Sequence, residues 1–136
     1  MDDRGSGAAA VIIFAVLFLT LAAFVVDGGL SISQRERAAD IAEQAARYAA
    51  QDLDQEALRA NGGAPINYQN CGARVQAFVR EEGLSGHDVA GARCLDGSPE
   101  FVEVEVQLTY QPVLTGLFYS GSLTVRGEAR AEVRTG

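Results

Sequence analysis

A run of 19 residues without a charged side chain, residues 8–26, stands near the start of the chain, and Thr20 is its only hydroxyl. Folded as an α-helix at 1.5 Å per residue, this run is about 29 Å long, close to the thickness of the hydrocarbon core of a bilayer. A small domain has no core large enough to bury such a helix. The pattern therefore predicts a membrane span or a signal peptide.

Three features separate this run from an ordinary signal peptide. The residues before it, Met1–Arg4, carry no net positive side-chain charge, and the run itself is longer than a usual signal-peptide core. Helical character also continues beyond it. Leu21-Ala22-Ala23 offers a cleavage context, so a secreted domain freed by signal peptidase stays an alternative. We expect a transmembrane helix over residues 6–27, after a short leader-like segment, residues 1–5.

A polar, Ala-rich helix is predicted to follow over residues 28–60. Gly28 and Gly29 permit a bend just beyond the span, and the helix resumes from about Ser31. Asn61-Gly62-Gly63-Ala64-Pro65 ends it.

Small apolar side chains form a stripe on this helix at three- and four-residue steps, with charged residues on much of the remainder. The stripe consists of Ala38, Ile41, Ala42, Ala45, Ala46, Ala49 and Leu53. Such side chains let helices approach closely, so the alanines are candidate helix-packing residues. We expect the distal part, from Ala45, to pack on the chain's own sheet rather than on another subunit. Up to residue 42 we expect lipid or another subunit to cover the helix.

Alternation of apolar and polar residues marks two half-buried strands, over residues 102–110 and 123–133. Antiparallel pairing would bring Glu103 and Glu105 near arginines of the second strand. A helix over about residues 71–82 and a possible strand over residues 88–95 precede them. The predicted fold is α+β: a long, partly transmembrane N-terminal helix packed on a small antiparallel sheet, within an extracytoplasmic domain over residues 61–136.

The connection Gln111–Gly121 is unusually apolar for a loop. We expect a short helix that caps the core. The alternative is a contact surface for a partner.

The charge composition bears on the class of partner. The formal net charge is −7 and all 11 basic residues are arginines, so no basic stripe indicates nucleic acid as a partner.

Cys71 and Cys94 predict one disulfide, which requires an oxidising compartment; two free thiols or half a metal site are the alternatives.

No arrangement of residues indicates catalysis. The single histidine, His87, stands in a predicted turn, and strand alternation explains Glu103 and Glu105. We therefore expect no enzymatic activity, no metal, no cofactor and no small-molecule substrate.

Two arguments about orientation disagree. Arg4 precedes the span while Arg35, Arg37 and Arg47 follow it, which favours a cytoplasmic C-terminal side. The predicted disulfide favours the reverse. We follow the cysteines and expect a single-pass protein of the cell membrane with its C-terminal domain outside the cytoplasm.

Two adjacent segments resemble a known family. "RGSGAAAVIIFAVLFLTLAAFVVDGG" followed by "RERAADIAEQAARYAA", about residues 4–50, resembles the N-terminal region of TadE/TadG-like proteins of the Flp (tight-adherence) type IV pilus system, most closely actinobacterial versions. The C-terminal half matches small TadE-like domains more loosely. The resemblance implies a minor pilin or pseudopilin, which packs with other pilin or Tad assembly subunits in a surface pilus or the machine that extrudes it. It also implies cleavage by a prepilin peptidase after Gly5, leaving Ser6 first.

One position departs from the family pattern. Processed pilins usually carry Glu at the fifth mature position, which here is Ala10. Either the chain is not cleaved after Gly5, or no subunit lies ahead of it, as at a pilus tip. Asp27 is a substitute charge or, as we expect, a residue at the membrane–water boundary. The runner-up interpretation is a single-span, membrane-anchored domain that binds a partner or ligand unrelated to pili.

Overall fold

The computed structural model describes residues 4–133, so residues 1–3 of the leader-like segment lie outside the described part. A helix of 47 residues, α1 (Arg4–Ala50), comes first. Three short helices follow, α2 (Gln55–Asn61), α3 (Cys71–Glu81) and α4 (Gly86–Gly91), and then the strands β1 (Arg93–Gly97), β2 (Phe101–Tyr110) and β3 (Leu123–Glu132). The strands form an antiparallel sheet in the order β1-β2-β3 on which α1 packs, which confirms the predicted α+β architecture.

Helix α1 continues through Gly28 and Gly29, where the sequence predicted a bend and a fresh start. The intrinsic cost of two glycines in a helix is about 2 kcal/mol. Contacts on either side of the pair offset it, because Asp27 is bound to a loop of the domain and Ala38 is buried against the sheet.

The predicted helix over residues 28–60 is wrong beyond Ala50, where α1 ends. Leu53 is not on the helical stripe and instead forms an isolated antiparallel bridge with Ile66. Helix α2 then starts separately, because the carboxylate of Asp54 accepts the backbone N–H groups of Glu56 and Ala57 at 3.0 and 3.1 Å. It ends at Asn61 and is capped by Gly62, within the predicted stop.

The two long strands lie where the alternation predicted them, and the valines of β2 are fully buried. Glu105 and Gln107 on the polar face of β2 are buried as well, so β2 is not half-buried along its whole length. Glu103 lies opposite Arg130 in the β2–β3 register, as expected for complementary charges, but Glu105 lies opposite Glu128 and reaches Arg126 only at 4.0 Å.

The predicted strand over residues 88–95 is only partly right. Ser85 caps a helix by accepting the N–H of Asp88, so residues 86–91 form α4 and the strand begins at Arg93.

The alanine stripe belongs to the core of the domain. Ala38, Ala42, Ala45, Ala46 and Ala49 have no exposed surface and join one apolar cluster with the valines of β2 and α3. The expectation that lipid or another subunit covers the helix up to residue 42 is therefore wrong at Ala38 and Ala42. The reason is the length of the strands: β2 and β3 have ten residues each, about 33 Å, so the sheet extends along α1 past Ala38.

A disulfide joins Cys71 at the start of α3 to Cys94 in β1, with the two Cα atoms 5.9 Å apart. It ties the helix that covers one end of the core to the edge strand of the sheet. The crosslink joins α3 to β1 and does not include α1, which packs against α3.

Candidate functional site: the apolar helix end and its neighbouring loop

The N-terminal half of α1 projects away from the domain with its apolar side chains uncovered. Every large apolar side chain from Val11 to Val26 is at least 49% exposed. By length and composition this is a helix able to cross a membrane, and none of its most apolar stretch is buried by the rest of the described chain. Water is a poor solvent for such a surface, so lipid or other apolar helices must cover it.

The candidate processing site lies at the beginning of this helix. Gly5 and Ser6 are helical and exposed in its first turns, and Ala10 is equally exposed one turn later.

Asp27 makes contacts with a distant loop that its position in the sequence did not predict. Its carboxylate accepts three successive backbone N–H groups, from Val113 at 2.9 Å, Leu114 at 3.1 Å and Thr115 at 2.6 Å. It is also the only charged residue between Gly5 and Gln34. It is not a free substitute charge, because it anchors a loop that lies 86 to 88 residues further along the chain.

One signal for this role is visible in hindsight. Asp27, Gln34 and Ala38 lie on one face of α1 at spacings of seven and four residues, and all three are shielded by the domain to some degree. A charge on the face that points to the domain predicts a partner there. The identity of that partner is non-local, however, so the sequence pattern alone does not supply it.

The loop beside Asp27 does not cap the core, and the predicted capping helix over Gln111–Gly121 is therefore wrong. Only a single 3-10 turn forms, over Thr115–Leu117. Leu117 and Phe118 are 77% and 92% exposed, and Val113 and Tyr119 are also exposed. The hydrogen bonds to Asp27 hold the loop backbone against α1, beyond the end of the sheet, and of the loop's apolar residues only Pro112 is buried.

An apolar groove of about 550 Å³ separates this loop from the helix. One wall consists of helix residues between Val16 and Phe24, and the other consists of loop residues from Leu114 to Phe118. The helix end and the loop thus present apolar side chains on both sides of the groove, from helix residues 16–24 and loop residues 113–119.

The polar residues considered for chemistry serve the fold. Glu105 pairs with Arg93 at 2.9 Å across the β1–β2 ladder. Asp88 is buried in α4, and its carboxylate accepts the N–H and the hydroxyl of Thr109 at 3.0 and 2.7 Å. Desolvation raises the pKa of Asp88, but these hydrogen bonds and the neighbouring His87 outweigh it and hold the pKa below its usual value. His87 lies on α4, not in a turn, and its carbonyl accepts the side-chain amide of Gln107.

Comparison with known proteins gives one family. Residues 5–52 match the family described as "Putative Flp pilus-assembly TadE/G-like". Searches of curated proteins and of solved structures found no match. The matched segment begins one residue after α1 does and ends two residues beyond it, so it contains the exposed apolar helix, Asp27 and the alanine stripe but not the sheet. Over its N-terminal helix the chain is thus similar to TadE/G-like proteins of Flp pilus assembly, and this similarity supports a pilus-related role.

Proposed function

We propose that this protein is a TadE-like minor pilin or pseudopilin, a structural or assembly component of a Flp-type surface pilus or a related secretion machine. One observation carries the proposal: a single unbroken helix exposes only uncharged, mainly apolar side chains along residues 5–26 and forms the core of a small domain along residues 38–49. Such a helix holds the subunit in the bilayer, and packing against neighbouring helices then replaces its lipid contacts.

The C-terminal domain lies outside the cytoplasm in this proposal. Its disulfide between Cys71 and Cys94 supports that side, because disulfides persist in oxidising compartments. The arginines after the span favour the opposite side. They lie on a helix that continues into a folded domain, however, and folded domains are translocated largely regardless of their charge.

The surface that packs on other subunits lies within residues 5–26. The buried alanines of the stripe are covered by the chain's own domain and are unavailable to a partner; they are Ala38, Ala42, Ala45, Ala46 and Ala49. Within the exposed part, Ala8, Ala15 and Ala22 recur every seven residues, which places small side chains along one line of the helix. A neighbouring helix can approach closely along such a line.

Helix substitutions test this role against that of a simple membrane tether. Ala15→Leu keeps the helix apolar but fills the line of small residues, so we expect it to block pilus assembly while the protein still inserts and its domain still folds. Val16→Leu, one position further round the helix, is the matched control and should assemble normally. Normal assembly by both variants would show that the helix only anchors the domain.

Processing is tested by the N-terminal sequence and intact mass of the protein extracted from its native membrane. We propose cleavage after Gly5 by a prepilin peptidase, so the mature chain should begin at Ser6. A chain that begins at Met1 would instead be a permanently anchored assembly accessory. A chain that begins near Ala23 would lack the span and would contradict the proposal.

A position at the pilus tip, or at the start of assembly, fits the residues around the mature N-terminus. Ala10 offers no carboxylate to a preceding subunit's amine, and the carboxylate of Asp27 is already bound to its own loop. Labelling of assembled pili should then find this subunit at one end and at low copy number. Regular labelling along the shaft would refute the tip assignment without affecting the pilin assignment.

A further inference from the structure

We propose that the loop Val113–Tyr119 is a second membrane contact: it sits in the outer half of the bilayer beside α1 and is held there by Asp27. The inference rests on the membrane span of the proposed function and goes beyond it. It concerns a segment more than eighty residues from the span, outside the part that matches the family.

Charge is the first observation. Gln111–Val125 contains no charged residue, although the chain as a whole carries 29 charged side chains. The helix facing the loop is also uncharged, from Gly5 to Val26. Two uncharged segments, distant in sequence, therefore lie side by side at the same end of the molecule, and a bilayer can accept both.

Backbone hydrogen bonding is the second observation. Placing a loop in the hydrocarbon core of a membrane costs free energy unless its N–H groups have hydrogen-bond partners within the protein. Asp27 supplies partners for three successive groups, those of residues 113–115, and the N–H groups of Leu117, Phe118 and Tyr119 donate to carbonyls within the loop. Six of the seven N–H groups from Val113 to Tyr119 therefore have partners within the protein, which lowers the cost of placing this loop in lipid.

Depth is the third observation. The groove between the loop and α1 is lined on the helix side from Phe24 back to Val16. These residues lie about 5 to 16 Å from Asp27 along the helix axis, since each residue rises by about 1.5 Å. With Asp27 at the boundary, Leu117 and Phe118 face the outer half of a hydrocarbon core about 30 Å thick. Tyr119 has the amphipathic character of residues at the membrane–water interface.

The same surface does not fit a soluble partner as well. Leu117 and Phe118 extend the apolar surface of the helix on the other side of the groove, so a partner would have to cover the loop and avoid the lipid around it. The bilayer covers both without any further component.

Tryptophan fluorescence tests the proposal in the full chain, which contains no tryptophan. Phe118→Trp introduces a single reporter at the loop tip, Phe18→Trp introduces one in the span, and Tyr68→Trp introduces one on the domain. Each variant is reconstituted in phosphatidylcholine–phosphatidylglycerol vesicles, with or without bromine on the acyl chains. We expect the emission of Phe118→Trp to be blue-shifted and to lose at least half its intensity to brominated lipid, as for Phe18→Trp, while Tyr68→Trp loses little.

The outcomes separate this proposal from the one on which it rests. Quenching of Phe18→Trp but not of Phe118→Trp would overturn the loop contact and leave the span intact. In that case access of acrylamide to Phe118→Trp would place the loop in water, and exclusion of acrylamide would place it against another copy of the chain. Lack of quenching in both variants would refute the span itself.

The role of Asp27 is tested in the same system. Asp27→Ala removes the acceptor for the three loop N–H groups, so the loop should leave the bilayer and the lipid quenching of Phe118→Trp should fall severalfold. Quenching of Phe18→Trp should not change, because the span does not depend on the loop. Unchanged quenching of Phe118→Trp in the Asp27→Ala background would refute the anchoring role.

Discussion

Gly127 in β3 marks the closest approach of the sheet to α1, and we predict that one added methyl group there destabilises the domain. A Cβ atom at this position would lie 2.2 Å from the amide nitrogen of Ala39 and 2.4 Å from the carbonyl carbon of Ala38. These are backbone atoms of a helix and cannot rotate away, so helix and strand must separate by about 1 Å to restore normal contact.

The expected loss follows from two opposing effects. Overpacking of a core costs about 1–3 kcal/mol, and a clash with rigid backbone belongs at the upper end of that range. Alanine is favoured over glycine in a strand by about 0.5–1 kcal/mol, which offsets part of the cost. We expect Gly127→Ala to lower the free energy of unfolding by about 2 kcal/mol. For a domain of about 100 residues this lowers the Tm by roughly 8–16 °C.

The assay is thermal unfolding of the full chain in mild detergent, followed by near-UV circular dichroism of the domain's tyrosines and disulfide. Gly72→Ala in α3 is the matched control. It makes the same substitution where no atom lies within 4 Å of the new Cβ, and alanine favours the helix there. The control should melt at or slightly above the wild-type temperature. If Gly127→Ala also melts with the wild type, α1 does not lie against β3 as described.

Three further predictions concern the same domain and the same melting assay. Ala42→Leu should lower the Tm, because Ala42 is fully buried against the sheet, whereas Ala39→Leu on the exposed face should not; equal melting of the two variants would contradict the described packing. Reduction of the disulfide between Cys71 and Cys94 should cost about 3 kcal/mol, seen as a lower Tm in dithiothreitol, and an unchanged Tm would show that the crosslink contributes nothing. The pKa of Asp88 is lowered in the folded state, so its contribution is present above about pH 4 and is lost as the pH falls through the folded-state value. Asp88→Asn should therefore be less stable at neutral pH but lose less stability on acidification, and a wild-type acid slope in this variant would refute the assignment.

Local patterns in the sequence were sufficient for the regular elements. The alternation along residues 102–110 and 123–133 predicted β2 and β3, because one face of each strand is buried and the side-chain period of a strand is two. Helix α3 was also predicted locally, from the period of about 3.6 residues that is typical of a helix. Helix α4 was missed because a short apolar run suggested a strand, although Ser85 provides the cap of a helix.

Non-local contacts explain what the sequence did not reveal. The end of α1 at Ala50 depends on Leu53 pairing with Ile66, which no helical pattern encodes. The sequence identified the alanine stripe as a packing face. The prediction that lipid or another subunit covers Ala38 and Ala42 was wrong, because both lie in the core of the chain's own domain. Small side chains show that something approaches closely, and only the position of Gly127 shows that the approaching backbone is the chain's own.

The continuity of α1 has a mechanical consequence for assembly. No linker separates the exposed part of the helix from the part that forms the domain core, and the glycines at 28 and 29 do not interrupt it. The domain therefore cannot turn independently of the span, and contacts along residues 5–26 would set the position of the whole subunit. Asp27 strengthens this coupling, because it binds the domain's loop to the helix directly after the exposed part. A substitution at Asp27 should thus act differently from one at Ala15: it would loosen the orientation of the domain on the helix while leaving the packing surface of the helix unchanged.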